Sequence, residues 1–223
     1  MRVGDRRILN AAIVGGALLV LAAFVRPALQ RSGFATGTQD GRERLRARMG
    51  AFTPDGTGVS VLQVETADRG GWSLDGSHGR YRGITIQPLA ANPSPSQHAE
   101  MVANAMLSVA PRVSRICTAS SDWFLNSMLG VGRGGDPGPL PIGVSVVFCA
   151  WVGSAGADAA NDVLRRSDWL AQRSPFLLVA GQKNVSALMG CAYNAITVGP
   201  AGASPNAGVP AGLDGVGRCK PEI

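Results

Sequence analysis

Residues 56–66 read GTGVSVLQVET, and the run Val59-Ser60-Val61-Leu62-Gln63-Val64 inside them decides the fold. It is rich in β-branched residues, too short for a helix, and bounded by Gly58 on one side and Glu65 on the other. That pattern predicts a buried strand. Working outward, the chain alternates strand and helix. Ile84-Thr85-Ile86 is a short strand. His98 to Val109 places Met101, Val102, Ala105, Met106 and Val109 at helical spacing, with Ser94 or Ser96 available as a cap. Val113 to Ala119 is strand-like, and Ser120-Ser121-Asp122 then caps a helix through Leu129. Residues 130–141 are Gly- and Pro-rich and form a loop. Val144 to Phe148 is a strand, and Asp158 to Gln172 is an amphipathic helix with Ala159, Val163, Leu164 and Leu170 on its apolar side. Phe176 to Val179 and Ala195 to Val198 are two more strands. The alternation predicts an α/β fold with a mostly parallel central sheet covered on both faces. In such sheets ligands sit beyond the carboxyl ends of the strands. That rule singles out Glu65, residues 119–121, 149–153 and 181–184.

The chain has 223 residues and a formal net charge of +6. The excess is confined to residues 1–50, and residues 51–223 are balanced. A neutral domain with 5% aromatic residues offers no surface for nucleic acid. Residues 8–25 form an apolar run broken only by Asn10, preceded by Arg2, Arg6 and Arg7. As a helix it spans about 27 Å, close to a bilayer core. Residues 1–28 therefore read as a signal peptide or an N-terminal membrane anchor, with a buried soluble helix as the third possibility. An uncleaved segment would hold the protein in the inner membrane, and both exported readings put the rest outside the cytoplasm. Residues 29–55 form a linker, with a short helix in GTQDGRERLRARMG at 37–50, and residues 56–223 form the domain. Cys117, Cys149, Cys191 and Cys219 fit an oxidising compartment, although Cys149 and Cys191 lie in apolar stretches that suit small core residues. No metal site and no cofactor site is expected: there is no CxxC, no phosphate-binding glycine loop, and only two histidines.

Three residues carry chemical interest. Glu65 ends a strand, where a carboxylate can orient an imidazole through its Nδ1–H. His98 opens a helix and can face a cleft. Asn184 follows a strand in LLVAGQKN and can donate an amide to an oxyanion. Singly, each is more readily a solvated strand end, a surface histidine and a turn asparagine.

Their order has a parallel. GTGVSVLQVET resembles the first catalytic segment of the subtilisin-like serine peptidases, and SQHAEMVANAML at 96–107 resembles their His segment. VSVVFCAWVG at 144–153 is similar to the strand and turn that line their substrate cleft. DVLRRSDWLAQRSPFLLVAGQKN at 162–184 resembles the helix and strand leading to the oxyanion Asn. CAYNAITVG at 191–199 and GLDGVGRCKPEI at 212–223 resemble two later segments. The resemblance runs from Gly56 to Ile223 and is closest to a bacterial branch with VxQVE, Glu replacing Asp. It implies a three-layer fold and peptide-bond hydrolysis through an acyl-enzyme. It assigns Glu65 to orienting His98, with Asp68 as a weaker substitute, and His98 to general base and then acid. Asn184 goes to the oxyanion hole, with Gln182 as the alternative, and Ala150, Trp151 and Gly153 to pairing with the substrate backbone as an added strand. The partner implied is a protein or peptide.

One departure matters. The family's nucleophile lies in a GTSxAxP segment beyond KPDI, and no such segment occurs here. The expectation is an exported endopeptidase truncated before its serine and inactive as given, the alternative being a non-catalytic, peptide- or partner-binding pseudopeptidase of the cell envelope. Because that serine opens a long apolar helix across the sheet, worth about 10 kcal/mol of burial, residues 1–223 alone are expected to be poorly stable.

Overall fold

The computed structural model describes residues 41–153, 155–181 and 188–198. The elements are α1 (Gly41–Met49), β1 (Ser60–Glu65), β2 (Thr85–Pro88), α2 (Gln97–Val109), β3 (Arg115–Ser120), α3 (Ser121–Trp123), β4 (Val144–Cys149), α4 (Ala157–Arg173), β5 (Leu177–Gly181) and β6 (Ala195–Val198). The strands form one parallel sheet in the order β2-β3-β1-β4-β5-β6. All six residues of β1 are buried, because it has a strand on either side and helices over both faces.

Alternation along β1 divides its side chains. Leu62 and Val64 join one core with Phe124, Met128, Val163, Leu164 and Leu170, so α4 and the segment after α3 lie on that face. Val61 joins the other core with Ala99, Val102, Ala103, Met106 and Val109, which puts α2 on the opposite face. The described residues thus build an α/β fold with three layers. Leu45 of α1 also packs against this second core, which includes Val146, Phe148 and Val179. An apolar groove of about 620 Å³ lies there at the amino ends of β1, β4 and β5, floored by Val61, Val146 and Phe148.

Ser96 caps α2, its Oγ accepting from the Ala99 N–H at 3.0 Å. Two residues expected on apolar faces lie outside them: Met101 is exposed, with Ala99 and Ala103 taking the inner stripe, and Ala159 is exposed, with Ala160 packing instead. The helix expected through Leu129 begins at the expected cap, with Ser120 Oγ accepting from Trp123 N–H at 3.1 Å. It then widens into a π-helical turn over Phe124–Met128. Arg166 of α4 holds the glycine-rich loop that follows, donating to the carbonyls of Leu129, Arg133 and Gly135. Cys117 and Cys149 are buried free thiols, as suits small core residues; Cys191 is buried, and Cys219 lies outside the described residues. The candidate membrane segment 8–25 also lies outside them, and no described helix is long and apolar enough to cross a membrane.

Candidate functional site

The strand order sets where a site can form. β1 and β4 are neighbours, yet the chain leaves β1 toward β2 on one side and β4 toward β5 on the other. This is a switch point, and such points open a crevice at the carboxyl ends of the two strands. Glu65 is the last residue of β1 and Cys149 the last of β4, with Val64 opposite Cys149 in the register. The turn after β4 stays close, since Ala150 N–H donates to Val64 O at 3.1 Å.

His98 reaches this crevice from the first turn of α2. Its Nδ1 lies 2.7 Å from Glu65 Oε2. The two residues are 33 apart in sequence, and the fold brings them into one hydrogen bond. The carboxylate is fully buried while the imidazole is 46% exposed. The ring is thus about half buried against the protein and half open to solvent. Glu65 Oε1 accepts from Gln63 Nε2 at 2.7 Å, so both carboxylate oxygens are engaged.

The start of α2 is fixed by the chain between β1 and β2. Asp68 and Gly71 close a two-residue turn, with Arg69 and Gly70 both at positive φ. The chain then runs beside residues 94–96. Trp72 and Ser73 N–H both donate to Ser94 O, and Ser96 N–H donates to Ser73 O. Glu100, one turn beyond the cap, accepts from Asp75 N–H at 2.7 Å and from Tyr81 O–H at 2.6 Å. Gly71 has no room for a side chain: a Cβ there would lie 2.3 Å from Pro95 O. Gly71→Ala should therefore push the α2 cap outward and cost about 1–3 kcal/mol of stability, read as a lower urea midpoint.

Burial pushes the Glu65 carboxyl above its usual range, and the hydrogen bonds from His98 and Gln63 pull against it. His98 is held above the ordinary imidazole value by its hydrogen bond to Glu65, against partial desolvation, with the charges of Glu65 and Asp68 adding to the rise. A histidine whose folded value is raised stabilises the fold fully below its unfolded value and loses that contribution as pH rises through the folded one. The raised Glu65 acts with the same sign. The urea midpoint is expected to be lower at about pH 9 than at about pH 6, and replacing Glu65 with Gln should flatten the difference.

The other sequence-derived residues sit as follows. Ala150 adjoins the end of β1, where its N–H is already committed to Val64. Trp151 is buried, and its indole N–H has no partner among the described residues. Gly153 rests on the Trp151 ring, where a Cβ would come within 2.9 Å of Cζ3. Asn184 and its alternative Gln182 lie outside the described residues. The strand that leads to them ends at Gly181, next to Trp151 and Val152. Asp68 influences His98 by charge alone; the hydrogen bond belongs to Glu65. Gln63 is the residue that sequence reasoning missed. Its signal was an amide side chain within a buried strand, two positions before an acid and so on the same face. Compared with known proteins, the chain matches no family model and no curated sequence.

Proposed function

We propose that this chain is the domain of a subtilisin-like serine endopeptidase that supplies the base and its carboxylate partner. The observation that carries the reading is the 2.7 Å bond from His98 Nδ1 to a fully buried Glu65 at the carboxyl end of the central strand. A carboxylate at Nδ1 keeps the proton on that nitrogen and leaves the Nε2 lone pair to act as base. In peptide cleavage Nε2 takes the proton of a serine hydroxyl, and the buried carboxylate stabilises the imidazolium that forms. The same nitrogen then protonates the leaving amine. The extra methylene of Glu lets the carboxylate reach His98 from a strand end. Residues 150–153 would guide the peptide, and Asn184 or Gln182 would donate to the oxyanion. We place the domain outside the cytoplasm, exported or anchored through residues 8–25.

The sequence has no GTSxAxP segment, and among the described residues no serine hydroxyl bonds His98. The polypeptide of residues 1–223 is therefore expected to be inactive. The test is a fluorophosphonate probe applied to that polypeptide and to the protein isolated from its native source. The first should stay unlabelled and the second should label in a His98-dependent manner. A native protein that never labels and turns over no casein would overturn the peptidase reading in favour of a non-catalytic peptide binder.

A further inference from the structure

Gln63 is fully buried on β1, on the face that carries Glu65 and meets α2. Its Nε2 donates twice: to Glu65 Oε1 at 2.7 Å and to Ala99 O at 3.0 Å. Ala99 follows His98 in the first turn of α2. One amide thus ties the carboxylate, its strand and the helix bearing the imidazole. Its orientation is fixed, because both partners are acceptors and a flipped amide would set oxygen against oxygen twice. The arrangement has a cost, since Gln63 Oε1 is buried with no partner among the described residues. A buried unsatisfied acceptor is retained where the rest of the group is needed.

We propose that Gln63 is a positioning residue that holds Glu65 as the anion and turns a single free oxygen toward His98. The proposal rests on reading Glu65 and His98 as a working pair. The Gln63 and Glu65 side chains start roughly 6.5–7 Å apart along the strand, so both must be long to meet. An aspartate at position 65 would draw back from the amide and the imidazole together. Gln63 and the length of Glu65 are therefore one device. With its Oε1 occupied, the carboxylate cannot rotate to share both oxygens with the ring, and neutral His98 is confined to its Nδ1–H tautomer. The ionisable groups that act on the pair are Asp68, whose charge reaches His98, and the Cys149 thiol on β4, which is affected by Glu65.

The test is nitrogen-15 NMR of the full chain, which needs no turnover. In the wild type, the Gln63 side-chain amide protons should exchange slowly and move with the same midpoint as the His98 ring. Gln63→Met keeps the volume and removes the donor. In it, the protonation of Glu65 should move to higher pH, and the two ring nitrogens of neutral His98 should shift toward each other as the tautomers mix. A merely structural role would lower the urea midpoint and leave the tautomer alone. Wild-type tautomer and midpoints in a folded Gln63→Met chain would overturn the proposal. If that variant does not fold, the wild-type amide decides: resonances that ignore the titration of the pair overturn it. A native protein that fails to label with the fluorophosphonate, beside an intact Gln63 response in the chain of residues 1–223, would retire the peptidase reading and support the positioning role.

Discussion

His98→Ala is expected to abolish fluorophosphonate labelling and casein turnover in the native protein, a loss of roughly 10⁴- to 10⁶-fold. Among the described residues, the imidazole is the base whose geometry is set by the crevice. Its Nδ1 is engaged by Glu65, and its half-exposed edge is the part a serine hydroxyl could approach. The substitution also has a consequence measurable without turnover. It leaves a fully buried carboxylate with Gln63 as its remaining partner. Burial then dominates, and the Glu65 carboxyl rises further. The variant should be less stable than wild type near neutral pH by about 1–3 kcal/mol, toward the lower end because the lost ring was half exposed. Its stability should recover as pH falls and the carboxyl takes up a proton. Urea titrations at several pH values read this directly in the chain of residues 1–223. His78 is the control: it is exposed, 3.9 Å from the side chain of Asp75, and its replacement by alanine should change neither labelling nor stability. Equal labelling of His98→Ala and wild type would sink the role of His98 as base.

Much of this site is legible in the sequence because its parts are local. The strand expected at 59–64 is observed as Ser60–Glu65, and the helix expected at 98–109 as Gln97–Val109. β-branched runs and helical spacing act within a few residues, so their signal survives in one dimension. The rule that ligands gather at carboxyl ends of parallel strands points to Glu65 without any contact being visible. What the pattern cannot show is non-local. Nothing in the sequence says that β1 lies between β3 and β4, yet that order makes the switch point. The loop at 66–84 carries little periodicity, although it sets the cap of α2 through Gly71, Ser73 and the bonds to Glu100. Gln63 hides in an apolar run, because periodicity marks which face a residue takes and not which polar groups it meets there. Met101 and Ala159 go the other way: they fit the helical spacing but sit at its edges, where small neighbours pack closer to the sheet.

Glu65→Gln is expected to lower kcat by about 10⁴-fold in the native protein while leaving the fold intact. The substitution keeps the shape and changes which atoms donate. The introduced carboxamide would have two orientations. In one, its NH₂ faces His98 Nδ1, which must then accept. The ring proton moves to Nε2, and the base can no longer take a proton from serine. In the other, its oxygen faces His98 and its NH₂ faces the NH₂ of Gln63, two donors in contact. Gln63 could relieve that contact only by flipping, which would turn its own oxygen onto the Ala99 carbonyl. The buried amide of Gln63 therefore drives the new side chain into the orientation that disables His98. The rate should fall with little change in KM, since the loss lies in the chemical step. Stability should follow the opposite course. Removing an ionisable group from a fully buried position leaves nothing to desolvate as pH rises. The urea midpoint of Glu65→Gln should match or exceed that of wild type at about pH 9. Nitrogen-15 spectra of His98 should show the Nε2–H tautomer in this variant and the Nδ1–H tautomer in wild type. A Glu65→Gln protein that keeps the Nδ1–H tautomer would show that the carboxylate does not set the state of the ring.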